Sequence, residues 1–228
     1  CKNAKEQIRL NIENIKYLQC SSENINWIVV DGNSTDGTTE LIKNSNIRSL
    51  IHIVSNDSGI YDAMNIGMSL STSDFFVFLN AGDILLSPNP VLKEGYVNCF
   101  ETKWHSLNGG VVDKRSFYCP RFGKMMPHQG MFFNKEFKKH KYNNNLKIAG
   151  DVEIKYLALK TDACLLNKSV LVSSLIGGVS QTPLSPKEYF SRISENIKAQ
   201  REHADLLTRV LTSITLALTL VRRIRLKK

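Results

Sequence analysis

A chain of 228 residues with 42% hydrophobic and 22% charged content can bury a real core, as one α/β domain or as a domain with an appendage. The formal net charge of +9 is local: Arg222, Arg223, Arg225, Lys227 and Lys228 crowd the last seven residues without an acid, and Lys135 to Lys147 holds five lysines against Glu136. That excess favours a nucleotide's phosphates, anionic lipid or nucleic acid, while five dispersed cysteines (Cys1, Cys20, Cys99, Cys119, Cys164) without a CxxC argue against a disulfide framework and a zinc site and suit a reducing compartment.

Residues 4–18 place Ile8, Ile12, Ile15 and Leu18 at helical spacing. Asn26–Val30 reads as a short buried strand that ends in Asp31-Gly-Asn-Ser-Thr-Asp-Gly, and a helix from Thr38 to about Asn44 follows, with Asp36 placed to cap it. Leu50–Val54 is the next strand, broken by Ser55–Gly59, and a second helix runs from Ile60 to about Leu70. Phe75–Leu79, an unbroken apolar run, predicts a central strand buried on both faces, stopping at Asn80-Ala-Gly-Asp83. The alternation predicts an α/β fold with a mostly parallel sheet. Asp31, Asp57 and Asp83 then emerge along one edge of it, beyond the carboxyl ends of the strands, where such folds bind ligands.

After Asp83 the pattern loosens, punctuated by Pro88, Pro90, Pro120 and Pro127. Strands are expected at Gly109–Val112, near Gly130–Phe133 (opened by His128-Gln129) and at Leu171–Leu175. Asp151 stands at the cap of a helix over Val152–Lys160, and from Ser185 the chain reads as helix to its end, with Pro186 in the first turn.

WIVVDGNSTDGT, SNDSGIYDAMNIGM, FLNAGD, MPHQGMFF, IAGDVEI and IGGVS, in this order, resemble bacterial family 2 glycosyltransferases of the WcaA-like kind, from about Ala4 to Ser180. The resemblance implies a GT-A fold: a nucleotide-sugar-binding α/β domain over residues 1–184, then a helical segment over 185–228 with a basic tail. It implies inverting glycosyl transfer from a nucleotide-diphosphate donor, with a UDP-sugar favoured, to a glycan or lipid-linked acceptor in bacterial surface polysaccharide synthesis. One departure matters: the family opens with a first strand that carries part of the nucleotide pocket, and this chain begins inside the helix after it. A fragment or a truncated paralogue is the expectation.

By the same resemblance Asp31 accepts from the base's imide N–H, its ordinary alternative being to satisfy amides in its own turn, and Asp36 is structural. Asp57 and Tyr61 line the nucleotide and donor sugar, with Asp62 and Asn65 equally suited to site or scaffold. Asn80 and Asp83 stand where the family's DXD-type metal motif stands. Asp83 is the one carboxylate left for Mg²⁺ or Mn²⁺, so affinity would lean on the donor's diphosphate. His128 and Gln129 match a His-Gln pair near the donor. Asp151 matches the general base that takes the acceptor hydroxyl's proton, and a plain N-cap is its alternative.

Between Arg209 and Arg222 lie twelve uncharged residues, too few to span a hydrocarbon core, which needs about 20. Leu207, Val210, Leu211, Ile214, Ala217, Leu218 and Val221 form one face and threonines mostly the other. With the basic tail this reads as a helix in a membrane interface, or as one packed on the domain or on a second subunit. The expected location is cytoplasmic, at the inner face of the plasma membrane. Two competing readings are a non-catalytic scaffold or binding subunit of a glycan assembly and, weakest, a nucleic-acid-binding protein, for which no interleaved aromatics or motif exist.

Overall fold

The structure, a computed structural model, describes residues 1–108, 110–112, 126–160, 164–176, 186–201 and 204–225. In chain order the elements are α1 (Lys5–Ser21), β1 (Trp27–Asp31), α2 (Thr38–Lys43), β2 (Leu50–Val54), α3 (Ile60–Leu70), β3 (Phe75–Val77), β4 (Ile84–Leu85), β5 (Val97–His105), β6 (Val111–Val112), β7 (Met131–Asn134), α4 (Gly150–Lys160), β8 (Cys164–Leu175), α5 (Pro186–Gln200) and α6 (Leu206–Arg225). Strands β1 and β2 pair in parallel, while a second sheet runs in the order β3-β7-β5-β8-β4, with β6 on β5.

The α/β expectation holds, but strand direction is more mixed than the alternation suggested. β1–β2 and β5–β8 are parallel, whereas β3–β7, β4–β8, β5–β6 and β5–β7 are antiparallel. Among the described residues no α-helix intervenes between β3 and β7, β5 and β6, or β5 and β7 to carry the chain back to a parallel start, whereas β8, which follows α4, runs parallel to β5 and antiparallel to β4.

Two cores flank the sheets. Ile8, Ile12, Ile15 and Leu18 of α1 are buried with Val29, Phe100, Phe132 and Val172. Each of these four α1 side chains is worth about 1.5–3 kcal/mol relative to exposure. On the opposite face Val97, Cys99, Met131 and Phe133 pack with Tyr61 of α3 and with Ile154 and Ala158 of α4. Successive residues Met131, Phe132 and Phe133 therefore alternate between the two cores, the period of two that a strand imposes. The layers are helix, sheet, helix.

β3 departs from expectation. Only Phe75–Val77 is strand, and the run is half-buried rather than enclosed on both faces. Among the described residues its one strand neighbour is β7. Likewise β1 has β2 on one side and, on the other, Cys1: its amino group donates to the Val30 carbonyl at 2.6 Å and its carbonyl accepts from the Gly32 N–H at 2.7 Å. A strand with one open edge stays partly accessible whatever its composition. Residues 3–5 continue along the β1–α2 turn. Asn3 N–H donates to Ser34 Oγ, Ala4 N–H to Thr38 Oγ1 and Lys5 N–H to Asp36 Oδ2.

The C-terminal helix expected to be continuous is two helices. Asp205 breaks it by capping α6, its carboxylate accepting from the Thr208 N–H at 2.8 Å and the Thr208 hydroxyl at 2.9 Å. Glu195 of α5 fastens this segment to the domain: its Oε2 accepts the backbone N–H groups of Lys147, Ile148 and Ala149 at 3.0, 2.7 and 3.2 Å. The strand expected at 171–175 is the end of the longer β8, and β5, beside it, had no counterpart in the sequence pattern. Gly109 and the IGGVS residues after Ile176 lie outside the described residues.

Candidate functional site

The expected edge divides into three places. The first is the start of α4. Asp151 is in its first turn, and Lys155, one turn on, is largely buried with its ammonium 2.5 Å from Asp151 Oδ2. The Tyr61 hydroxyl donates to the Ile148 carbonyl at 2.7 Å and approaches Asp151 Oδ1 at 3.4 Å. Gly150 is required by this packing, since a Cβ there would lie 2.8 Å from the Tyr61 ring. Burial alone would push the Asp151 carboxyl up; the charge of Lys155, with hydrogen bonds from Lys155 and Tyr61, outweighs it and holds the carboxyl below its usual range.

His128 completes this cluster from the single turn His128–Gly130. It is buried, stacks on Phe78 with ring centroids 5.3 Å apart, and hydrogen-bonds through Nε2 to the Tyr142 hydroxyl. Burial first, then Lys155, lower its pKa to about 4, with Asp151 opposing, so the ring is neutral at pH 7. Tyr142 also stacks on Tyr61 at 5.6 Å. Gln129 is half-buried beside it, and at Gly130 any Cβ would meet the Phe100 carbonyl.

The second place is the carboxyl edge of β1 and β2. Asp31 is fully enclosed and already occupied: Oδ1 accepts the Ser34 N–H at 3.2 Å and the Ser34 hydroxyl at 2.5 Å, and Oδ2 accepts the Thr39 hydroxyl at 2.5 Å. This is the self-satisfied turn that was its ordinary alternative; base recognition through Asp31 would have to displace one of these donors. Asp36 is structural as expected, its Oδ1 accepting from the Thr38 N–H and hydroxyl. Asp57 is half-buried. Its Oδ1 accepts the Gly59 N–H at 3.1 Å, while Oδ2 faces Gly32, where a Cβ would come within 3.2 Å. From Ser58 onward a cavity of about 290 Å³ opens, lined by Gly59, Tyr61, Asp62, Asn144, Leu146 and Lys147. Asp62 and Asn65 act as scaffold: Asp62 accepts from Ser58 and Asn144, and Asn65 exchanges hydrogen bonds with the backbone of Tyr142.

The third place is the turn after β3. Asp83 is buried, with Oδ2 accepting the Asn80 N–H at 2.9 Å and Oδ1 the Leu175 N–H at 2.9 Å. Burial outweighs these bonds and raises its pKa to about 6. Asn80 is exposed. Among the described residues no three His, Cys, Asp or Glu side chains are grouped to hold a metal ion. As arranged, each Asp83 oxygen accepts one backbone amide, so an ion held here would share those oxygens with the turn.

Several members of these clusters were not legible as such. Asn11 and Asn14 sit on α1 among its buried isoleucines, and a polar residue on an apolar stripe was the signal. Lys155, at the i+4 position from Asp151, carried a charge-pair signal. Tyr142 and Glu195 carried none. Of the basic run, Lys135 pairs with exposed Asp74 at 2.9 Å and Lys138 donates to the Ser71 carbonyl, which makes that stretch a surface tie.

A sequence model of the family described as glycosyl transferase family 2 matches residues 1–156. The PGL/p-HBAD biosynthesis glycosyltransferases of Mycobacterium tuberculosis and Mycobacterium bovis are 27% identical over 187 residues, covering 73% of this chain and 71% of theirs. Among solved structures, S. aureus TarS 1-349 in complex with UDP-GlcNAc superposes with a TM-score of 0.58 at 14% identity, covering 96% of this chain and 70% of that one. A longer TarS chain is covered over 39% of its length. The mannosyltransferase PcManGT from Pyrobaculum calidifontis, in complex with GDP-Man and Mn²⁺, gives 0.60 at 12% identity, covering 99% and 73%. These likenesses show the GT-A fold.

Proposed function

Because this chain belongs to glycosyl transferase family 2, we propose that it moves a sugar, with inversion, from a nucleotide-diphosphate donor to a glycan or lipid-linked acceptor in bacterial surface polysaccharide synthesis. The observation that carries this reading is the ionised Asp151 at the head of α4, braced by Lys155 and Tyr61. In a single displacement, the acceptor oxygen attacks the anomeric carbon from the face opposite the diphosphate and gives its proton to Asp151. The bond from that carbon to the diphosphate oxygen breaks, and the nucleotide leaves with the electron pair. Lys155 keeps the carboxylate in the accepting state, and neutral His128, locked by Phe78 and Tyr142, shapes the donor side with Gln129. Asp57, Tyr61 and the adjoining cavity receive the nucleotide and sugar; a UDP-sugar is favoured by the likeness to a TarS chain solved with UDP-GlcNAc.

Mg²⁺ or Mn²⁺ would be held by Asp83 together with the donor's own phosphates, the latter chiefly because both Asp83 oxygens also accept the Asn80 and Leu175 amides, and would supply charge neutralisation of the leaving diphosphate. The location proposed is the inner face of the plasma membrane. Its support is α6, whose Leu207, Val210 and Ile214 are 59%, 46% and 50% exposed while Thr208 and Thr212 are buried against the domain. No helix among the described residues is long and apolar enough to cross a membrane.

The test is calorimetric titration of UDP, GDP and dTDP, with Mn²⁺ and with chelator, followed by turnover of the corresponding nucleotide-sugars. UDP should bind wild type and Asp151→Asn alike, and turnover should fall about 10²–10⁴-fold in the variant. An Asp151→Asn protein that keeps its turnover refutes the assigned base. Failure of all three nucleotides to bind selects the non-catalytic scaffold or binding subunit.

A further inference from the structure

We propose that Cys99 and Cys164 form a dithiol–disulfide site that reversibly staples β8 to β5. The two residues are 65 positions apart in the chain, and their sulfurs are 2.7 Å apart in space. They sit on neighbouring parallel strands: Cys164 lies opposite Val97, so Cys99 is two residues further along the partner and on the same face. The sulfurs already meet, and because the residues sit on a diagonal of the strand pair, bonding also draws the first residue of β8 toward Cys99.

The pair is also graded for attack. Cys99 is fully buried, whereas Cys164, at the first residue of β8, is half-buried. A hydrogen bond joins the Cys99 and Cys164 sulfurs. That hydrogen bond holds the Cys164 thiol below its ordinary range and pushes Cys99 up, with burial adding to the rise. The more accessible sulfur, Cys164, is the one placed to meet an outside disulfide first.

With a small disulfide such as oxidised glutathione, the Cys164 thiolate attacks one sulfur, breaks the S–S bond and releases one glutathione thiolate. Cys99 then loses its proton and attacks Cys164 Sγ, expelling the second glutathione. Two protein thiols are oxidised and one small disulfide is reduced to two thiols.

The consequence reaches the candidate active site. Cys99 shares its core with Ile154 and Ala158 of α4, and Cys164 packs against that cluster. Oxidation ties down the strand that follows the helix bearing Asp151. Closing a loop of this length should raise Tm by about 9–17 °C.

The experiment oxidises the full chain with glutathione disulfide, alkylates the remaining thiols, and maps disulfide-linked peptides alongside thermal unfolding with and without dithiothreitol. The expected result is a Cys99–Cys164 peptide and a Tm rise that dithiothreitol reverses. Both should persist in Cys20→Ser and vanish in Cys164→Ser and in Cys99→Ala, two variants that report independently should one fold poorly. Recovery of both residues as alkylated thiols overturns the proposal. So does a stable glutathione adduct on Cys164 with Cys99 still free, or a link from either residue to Cys1, Cys20 or Cys119.

Discussion

Asn11 should be among the most costly polar residues of the chain to remove. It is 4% exposed on α1, and its side chain closes the turn after β3. Oδ1 accepts the Gly82 N–H at 2.6 Å, and Nδ2 donates to the carbonyls of Asp83 at 2.8 Å and Asn80 at 3.3 Å. Asn11→Ala removes the side-chain partner of two buried backbone groups, the Gly82 N–H and the Asp83 carbonyl, while the Asn80 carbonyl keeps the Asp83 N–H at 3.0 Å. Each buried group left unpaired costs about 1–3 kcal/mol, and the long contact to Asn80 adds little, so the total is about 2–5 kcal/mol. Asn14→Ala is the internal comparison. Asn14 makes the same reciprocal pair with the backbone of Leu85, both bonds at 2.9 Å, in a partly buried setting. Its loss lets water in and should cost only about 1–2 kcal/mol. Urea unfolding followed by far-UV circular dichroism measures both. An Asn11→Ala protein within about 0.5 kcal/mol of wild type, or no less stable than Asn14→Ala, would refute the view that α1 builds the turn through side-chain amides.

Asp83 gives a pH signature of unusual sign. Its folded pKa of about 6 lies above the reference 3.8, so the folded state binds the extra proton and this group adds stability as pH falls from about 6 to 4, up to about 3 kcal/mol; Asp83→Asn should lose that gain in unfolding free energies measured from pH 7 to 4, and parallel profiles for the two proteins would count against it. For α6, replacing the outward-facing Leu207, Val210 and Ile214 together by serine should weaken co-sedimentation with phosphatidylserine-containing vesicles roughly tenfold or more without lowering Tm. Equal pelleting of variant and wild type, or none of either, would remove the membrane contact.

Much of the first half of the chain was legible because local signals and tertiary demands agree there. Leu50–Val54 and Ile60–Leu70 form with the boundaries their patterns give, and α1 buries the four apolar residues its spacing selects. The reading weakened where pairing, not pattern, decides. β5 carries Asn98, Glu101, Thr102 and Lys103 among its apolar residues, so no alternation announces a nine-residue strand; it exists because β7 and β8 flank it. The β3 run was apolar enough for an enclosed strand, yet enclosure depends on neighbours that composition does not specify. The α5–α6 break lay in Asp205, whose capping role is visible only once Thr208 is known to face it. In the site, residue identities were legible and their occupancy was not. Nothing in a sequence says whether a carboxylate at a strand end points outward or folds back on its own turn.

That distinction sorts the four candidate carboxylates. Asp31 and Asp83 are buried with both oxygens engaged, Asp31 by Ser34 and Thr39 and Asp83 by two backbone amides. Their work is to fix the shape of the strand ends, and a ligand would have to compete with bonds already made. Asp57 has Oδ1 on the Gly59 amide and Oδ2 turned to Gly32, in a half-buried place beside the cavity. Asp151 has one oxygen on Lys155, an ion pair that leaves the carboxylate charged, and the other at 3.4 Å from a tyrosine hydroxyl whose closer partner is a carbonyl. A group suited to receiving a proton must be ionised, accessible and not spent on the backbone. Asp151 meets those conditions, and Asp57 meets the lesser one of offering a donor an open oxygen. Asp31 and Asp83 therefore already work as braces of the strand ends, while Asp57 and Asp151 keep more of their oxygens for a ligand.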